Sequence, residues 1–419
     1  MNQKIYASII TIGDELLIGQ VIDTNSSWIA QELNKIGIAV KQRVAVGDTS
    51  SDIIHALDEA KQHASIVLIT GGLGPTADDI TKPLLCDYFH AKMVVHQPTL
   101  DHVTYIFEQV LKRPMIERNA KQAEVPDTCT VLKNERGTAP GMLFEQDGVI
   151  FIAMPGVPHE MKWIMEHHVI PMIPQKFNTG YIQHRTLLTA GIGESFLAEL
   201  IKDIEQQLPI YIKLAYLPNY GMVRLRLTAW SNNASLLEKD LDHYFSQLKT
   251  AVAPYLVTDI DHPMEVVVGN LLKEKSATVA TAESCTGGYI AHLLSIHPGS
   301  SSFFKGAVVS YANIIKETML GVPHETLISV GAVSEETVLQ MAQQVRILMN
   351  TDYAIAVSGI MGPGGATDEK PVGLVWVAVA DKTNVQAKSF HFRFDRRRNI
   401  ELTATNALNM LRGIIVENS

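Results

Sequence analysis

The sequence predicts an α/β multidomain chain. Two observations lead there. Short apolar runs alternate with segments of helical spacing over 1–175 and again over 259–419, the pattern of parallel strands joined by helices. Between them, over 176–258, the order changes to strand, helix, two strands and a long helix, a small α+β linker domain. At 419 residues the chain exceeds one ordinary core, so two or three domains are expected.

The elements follow in order. A buried strand covers 6–11. Trp28, Ile29, Leu33 and Ile36 recur at helical spacing over 24–36, and Gly37 closes that helix. A strand over 39–46, a helix over 53–63 and a strand over 66–70 come next. The last is apolar except at its final threonine, as a central parallel strand should be. Another strand covers 149–153. In the linker, strands are expected over 185–190, 211–214 and 222–230, with helices over 195–206 and 235–252. The turn at Gly191-Ile192-Gly193 reads as a plain connection. From 263 onward come a helix, a strand over 277–282, a helix, a strand over 307–310, a helix over 335–348, strands over 353–358, 373–380 and 386–394, and a last helix over 399–412.

Composition removes several function classes. The formal net charge is −9 and Arg396-Arg397-Arg398 is the only basic run, which makes nucleic acid a poor expectation. The three cysteines, Cys86, Cys129 and Cys285, are far apart, so neither a disulfide framework nor a zinc ribbon is expected. Asp14 and Glu15 arrive with no long apolar run before them, and no stretch approaches a membrane span. A soluble cytoplasmic protein, with neither signal peptide nor membrane association, is the expectation.

The most informative stretch is Ala282-Glu283-Ser284-Cys285-Thr286-Gly287-Gly288, between a strand-like run and a helix-like one. A helix start offers unpaired N–H groups and a positive dipole end, a suitable place for a nucleophile. On spacing alone Ser284 reads as a helix N-cap. Cys285 is either a rival nucleophile activated by the helix start or a small core residue. Lys316, beyond the next strand, can act as a base for Ser284 once desolvated, and amides around Thr286 and Gly287 can form an oxyanion site. Ser358 and Gly359 open a glycine-rich loop over 358–365 that lets backbone approach a phosphate. It lacks the Lys-Ser/Thr ending of an ATPase loop. Arg396 can clamp a phosphate.

These blocks occur in sequence with Gly299-Ser300-Ser301-Ser302-Phe303-Phe304-Lys305-Gly306, Tyr311-x-Asn313-x-x-Lys316, Gly331-Ala332-Val333-Ser334 and Lys370-Pro371-Val372-Gly373. Together, over 263–415, they resemble the nicotinamide-nucleotide amidohydrolase domain of the CinA family. The resemblance implies hydrolysis of the carboxamide of nicotinamide mononucleotide to nicotinate mononucleotide and ammonia, without a cofactor. It implies Ser284 as nucleophile and Lys316 as general base, with Tyr311, Asn313 and Arg396 holding the substrate. Met361 departs from the alanine common in the family, and Phe394 from a glycine often found before the Asp-Arg pair. Both departures are expected to alter pocket shape.

At the other end, Thr11-Ile12-Gly13-Asp14-Glu15 follows the first strand and Asp23-Thr24-Asn25 opens the first helix. Thr70-Gly71-Gly72-Leu73-Gly74-Pro75-Thr76-Ala77-Asp78-Asp79-Ile80-Thr81 follows the central strand. Glycine amides suit phosphate, and the carboxylates can hold Mg²⁺ or a similar divalent ion that bridges it. Taken singly, each acidic cluster reads as a solvated loop or cap. With Gly47-Asp48, Asn134-x-x-Gly137-Thr138-Ala139-Pro140-Gly141 and Met154-Pro155-Gly156-Val157-Pro158-His159-Glu160-Met161, these blocks resemble the molybdopterin-binding-like domain of CinA proteins. The resemblance implies a metal-dependent ADP-ribose pyrophosphatase. Its nucleotide or phosphate contacts would be Gly13, Asn25, Gly71, Gly72 and Gly74, and its metal candidates Glu15, Asp48, Asp78 and Asp79. The linker resembles the KH-like domain of full-length members, and a homodimer is implied. The competing reading is a nucleotide- or pterin-binding or scaffold module in a protein linked to competence or DNA damage.

Overall fold

The computed structural model describes residues 4–76, 79–219 and 221–417. Asp78 therefore lies outside the described residues. By backbone proximity the chain divides into two compact units, 1–184 with 228–241 and 185–227 with 242–419. The segment expected as a linker domain over 176–258 contributes residues to both units.

The first unit is a doubly wound sheet. Its strands are β1 (Tyr6–Ile12), β2 (Ala39–Val46) and β3 (Ile66–Thr70), a short ribbon of β4 (Met93–Val95) with β5 (Glu124–Pro126), and then β6 (Thr130–Leu132), β7 (Gly141–Gln146) and β8 (Val149–Met154). The main sheet runs β2-β1-β3-β8-β7-β6. The first four are parallel, whereas β7 and then β6 pair antiparallel. All five residues of β3 are buried, because helices cover both faces. The helix Thr24–Lys35 puts Ile29 and Leu33 on one face with Ile9 and Leu68, and the helix Ser50–Ala60 puts Ile53 and Leu57 on the other with Ile10 and Ile69. The connections after β1 and after β2 therefore lie on opposite faces, so the topological switch point falls between β1 and β3.

The middle strands, β9 (Tyr181–Ala190), β10 (Ile212–Asn219), β11 (Met222–Ser231) and β12 (Leu256–Thr258), form a sheet in the order β10-β11-β9-β12. In the second unit, β13 (Val279–Glu283), β14 (Phe304–Val309), β15 (Tyr353–Gly359), β16 (Leu374–Ala380) and β17 (Val385–His391) run β14-β13-β15-β16-β17. Here β13, β14 and β15 are parallel, and β16 and β17 antiparallel. Ile290 and Leu294 pack on one face of β13, and Val338, Met341 and Val345 on the other. The switch point lies between β13 and β15. One boundary differs in a way that matters. The last helix is Arg396–Glu417, starting before the expected 399, because Asp395 accepts the Arg398 N–H at 3.0 Å and the Asn399 N–H bonds the Asp395 carbonyl at 2.9 Å.

Candidate active site

Ser284 sits at the tip of β13. Its N–H bonds the Val357 carbonyl on β15 at 3.0 Å, and the Glu283 carbonyl accepts the Ser310 N–H just beyond β14 at 2.8 Å. The chain then turns through Gly287 and Gly288, both left-handed at φ 61° and 97°, and enters the helix Tyr289–Ser295.

Glu283, not Ser284, caps this turn. Its carboxylate is fully buried. One oxygen accepts the Thr286 hydroxyl at 2.7 Å, the Gly288 N–H at 3.1 Å and the Ile290 N–H at 3.0 Å. The other accepts the Thr281 hydroxyl at 3.1 Å and the Ala291 N–H at 2.7 Å. Three expectations change. Ser284 is not an N-cap. The helix-start amides expected to be free are largely taken by a carboxylate. Thr286 turns its hydroxyl to Glu283, and the Gly287 N–H bonds the Ser284 carbonyl at 3.2 Å.

Lys316 comes from the helix Asn313–Leu320 and is 1% exposed. Its Nζ lies 3.0 Å from Ser284 Oγ and 2.6 Å from the Ser310 carbonyl. Burial lowers its pKa from the ordinary lysine value, with a smaller opposing effect from Cys285. Cys285 packs in the apolar core, and burial raises its pKa to about 12. At neutral pH it is a thiol in the wall rather than an activated thiolate.

Arg396 heads its helix and donates to the Gly362 carbonyl at 2.9 Å and to the Tyr311 hydroxyl at 3.0 Å. It thereby joins the glycine-rich loop to the segment before Lys316. Asn313 is exposed at the start of its helix. Ser358 is buried and donates to the Ala332 carbonyl at 2.6 Å, while Gly359 packs under β16, where a Cβ would meet the Leu374 carbonyl at 2.8 Å. Met361 belongs to the core, so that departure changes packing rather than the pocket. Sequence reasoning missed Asn399, fully buried, which donates to the Met361 carbonyl at 3.1 Å and the Phe394 carbonyl at 3.0 Å and so fixes the loop beside Arg396. Its signal was an Asp and an Asn four apart around a helix start.

In the first unit a cavity of about 140 Å³ lies at the switch point between β1 and β3, lined by Thr11, Glu15, Asp23, Asn25, Thr70 and Gly156 among others. The glycines play a more internal part than expected. A Cβ on Gly72 would stand 2.1 Å from Thr81 Oγ1, one on Gly74 2.4 Å from Asp79 Oδ2, and one on Gly13 2.4 Å from Glu15 Oε1. Gly71, which opens the loop, bonds its N–H to the Met154 carbonyl at 3.1 Å. Asp79 folds its own loop, accepting the Gly74 N–H at 2.8 Å and the Thr76 N–H at 2.9 Å. Asp48 accepts the Asp14 N–H at 3.1 Å and donates its own N–H to Asp14 at 3.2 Å. Among the described residues no three of His, Cys, Asp and Glu converge on one point. Of the four expected metal candidates, Glu15, Asp48 and Asp79 do not by themselves converge on one point, and Asp78 lies outside the described residues. Lys82, also missed, is buried in the helix that follows this loop, its Nζ donating to the Lys121, Gln122 and Glu124 carbonyls at 3.4, 3.0 and 3.3 Å, and burial pulls its pKa to about 8.

No helix among the described residues is long and apolar enough to cross a membrane. Three family descriptions match in order: "Probable molybdopterin binding domain" over 8–175, "Damage-inducible protein CinA KH domain" over 184–258 and "CinA C-terminal domain" over 261–415. The CinA-like protein of Cytophaga hutchinsonii is 46% identical over 412 residues, 98% of each chain. The CinA-like protein of Flavobacterium psychrophilum is 43% identical over 98% of this chain and 99% of its own. A putative competence-damage inducible protein of Acetivibrio thermocellus is 38% identical over 98% and 99%. The chain belongs to the CinA family, with its molybdopterin-binding-like, KH and C-terminal domains in that order.

Proposed function

We propose that the C-terminal domain hydrolyses the carboxamide of nicotinamide mononucleotide. One observation carries the reading: a buried lysine amine 3.0 Å from a serine hydroxyl at a strand tip. Burial favours the neutral amine, which can accept a proton. Ser284 Oγ bonds to the carboxamide carbon as its proton passes to Lys316. The C–N bond then breaks, and the nitrogen leaves as ammonia with the proton from Lys316. Water attacks the resulting ester, giving its proton to Lys316, which returns it to Ser284 as nicotinate mononucleotide departs. The sequence needs no cofactor. Arg396 keeps donors beyond its two protein contacts, and its place beside the 358–365 loop suits the 5′-phosphate. The purified full chain is expected to release ammonia from nicotinamide mononucleotide, and none from a clean preparation would sink the reading.

The N-terminal domain is read as acting on ADP-ribose, so that both halves serve pyridine-nucleotide salvage. A cavity at a topological switch point beside a glycine loop supports a nucleotide there. Among the described residues the carboxylates form no cage of their own, so a divalent ion would draw on phosphate oxygens and water as well. The engagement of Asp48 and Asp79 within their own loops favours a second reading, in which this domain binds its nucleotide or pterin without cleaving it. ADP-ribose consumption with magnesium, abolished by EDTA and indifferent to Ser284→Ala, separates the two.

A further inference from the structure

Ser284, Ser310 and Lys316 meet on one side of the second unit's sheet. Ala280 and Ala282 of β13 and Val308 of β14 face the cluster that holds Leu320. Ser284 and Ser310 each extend their strand's ladder by one step, through N–H bonds to the Val357 carbonyl at 3.0 Å and the Glu283 carbonyl at 2.8 Å. Alternation along the strands therefore carries both side chains to that same side. Lys316 stands one helical turn before Leu320 and shares its helix face. Across from it the helix Glu335–Leu348 presents Val338 and Met341.

The hydrogen bonds of this trio do not close. A neutral amine has one lone pair and two N–H groups. With the lone pair toward the Ser284 hydroxyl, one N–H serves the Ser310 carbonyl at 2.6 Å, and the other finds no acceptor among the described residues. Once the amine has taken a proton, the same deficit belongs to a buried charge, which burial already disfavours. Ser310 Oγ is fully buried and also has no partner among the described residues. A donor short of an acceptor and an acceptor short of a donor thus lie on residues already in contact. The Ser310 carbonyl touches Nζ, and rotation about a single bond turns Oγ toward the same amine.

We propose that Ser310 is a positioning residue for the cleavage, its hydroxyl turning to accept the remaining N–H of Lys316 when that amine takes the Ser284 proton. This rests on the reading that Ser284 and Lys316 cleave an amide, and it adds what holds the ammonium between the two proton transfers. The proton that leaves Ser284 Oγ becomes the third N–H of Lys316 and later departs with ammonia. Ser310 gains and loses none. A hydroxyl accepts more strongly from an ammonium than from an amine, so it holds the Lys316 titration up by roughly one pH unit. Cys285, Glu283 and Arg396 are the titratable groups about the pair, and the variants below leave them in place.

The test is an NMR titration of the full chain with lysine labelled with ¹³C at Cε, the Lys316 signal being the one lost in Lys316→Met. Ser310→Ala is expected to lower the Lys316 midpoint by roughly one pH unit. In ammonia release from nicotinamide mononucleotide, its kcat/KM limb should move down with that midpoint and its plateau fall about tenfold. Ser310→Thr keeps the hydroxyl and should retain both values. A merely structural role would lower the plateau and leave the midpoint in place, and that result overturns the proposal. So does a threonine variant that behaves like the alanine one. Ser310→Ala strands no partner, so it should melt close to wild type; loss of the fold would mean that the hydroxyl holds structure instead, and would also overturn the proposal. The titration needs no substrate, which keeps the two ideas apart. A lowered midpoint with no ammonia from wild type removes the hydrolysis and leaves Ser310 on Lys316. Ammonia release with an unmoved midpoint does the reverse.

Discussion

Glu283→Gln tests whether the carboxylate, rather than the helix start itself, holds the Ser284 turn. The carboxylate receives five donors, three on one oxygen and two on the other. A glutamine keeps one oxygen and presents an NH₂ in place of the second. The least damaging orientation keeps the oxygen that serves Thr286, Gly288 and Ile290. The Thr281 hydroxyl can turn to accept from the new NH₂, but the Ala291 N–H, now 2.7 Å from an oxygen, would face a donor. A stranded buried N–H costs about 2 kcal/mol, and loss of charge assistance in the retained bonds adds about 1–2 kcal/mol more. The total of about 3–4 kcal/mol corresponds to roughly a 10 °C fall in the melting temperature of a unit of this size. Thermal unfolding followed by circular dichroism reads the first effect, and ammonia release from nicotinamide mononucleotide reads the second. Activity should fall even at temperatures where the variant stays folded, because the same turn sets Ser284 Oγ against Lys316. Wild-type melting together with wild-type turnover would refute the reasoning, since five bonds to one buried group cannot be both present and immaterial.

Ser284→Ala should abolish ammonia release while Cys285→Ala retains it within a few-fold, and the reverse pattern would make the thiol the nucleophile. For ammonia release by the wild-type chain, kcat/KM should rise with pH and level off below the ordinary lysine value of 10.5, because burial lowers the Lys316 pKa and only the neutral amine accepts the serine proton. A limb at or above that value would remove Lys316 as the base. The same shift sets a stability sign. Between the lowered pKa and 10.5 the unfolded chain binds a proton the folded chain does not, so this residue's contribution to stability rises with pH through that window and its penalty is complete below it. Lys316→Met should therefore leave the domain folded, with no activity, and a melting temperature far below wild type would count against this account of the burial. Asp79→Asn should loosen the 71–79 loop by about 1–2 kcal/mol, through weakened bonds to the Gly74 and Thr76 amides, and proteolysis within that loop should accelerate. Unchanged cleavage would mean that the carboxylate does not hold the loop.

The α/β alternation was legible because its signals are repeated and local. Ile29 and Leu33 show helical spacing, the apolar run over 66–70 marks a central strand, and both recur as buried faces of one sheet. The proximity of Ser284 and Lys316 was suggested by residue type and motif order rather than by any local pattern, since 32 positions separate them. What escaped was of one physical kind, a polar side chain bonded to backbone. Asn399 and Lys82 find their partners in main-chain carbonyls, and Glu283 and Asp79 find most of theirs in main-chain N–H groups. Every residue carries such groups, so no second residue type appears in the sequence to announce the pair. The same blindness made the helix-start amides look free and hid the loop amides that Asp79 accepts.

The two units place their candidate sites at the same topological position and use it in opposite ways. In each, the first parallel strand lies between its two parallel neighbours, which sets the switch point at its carboxyl end. At β13 a buried carboxylate takes up the helix-start donors, and a dry lysine is brought to the strand tip by the helix that follows β14. The dipole of that helix is then screened, and the reactive pair owes its chemistry to burial. At β1 the strand end opens into a cavity with apolar walls whose charged lining residues, Glu15 and Asp23, are both acids. The first arrangement is suited to breaking a neutral amide, where a proton must move in a dry setting. Shared topology locates both crevices, but the chemistry of each follows from which side chains occupy the backbone groups at its mouth.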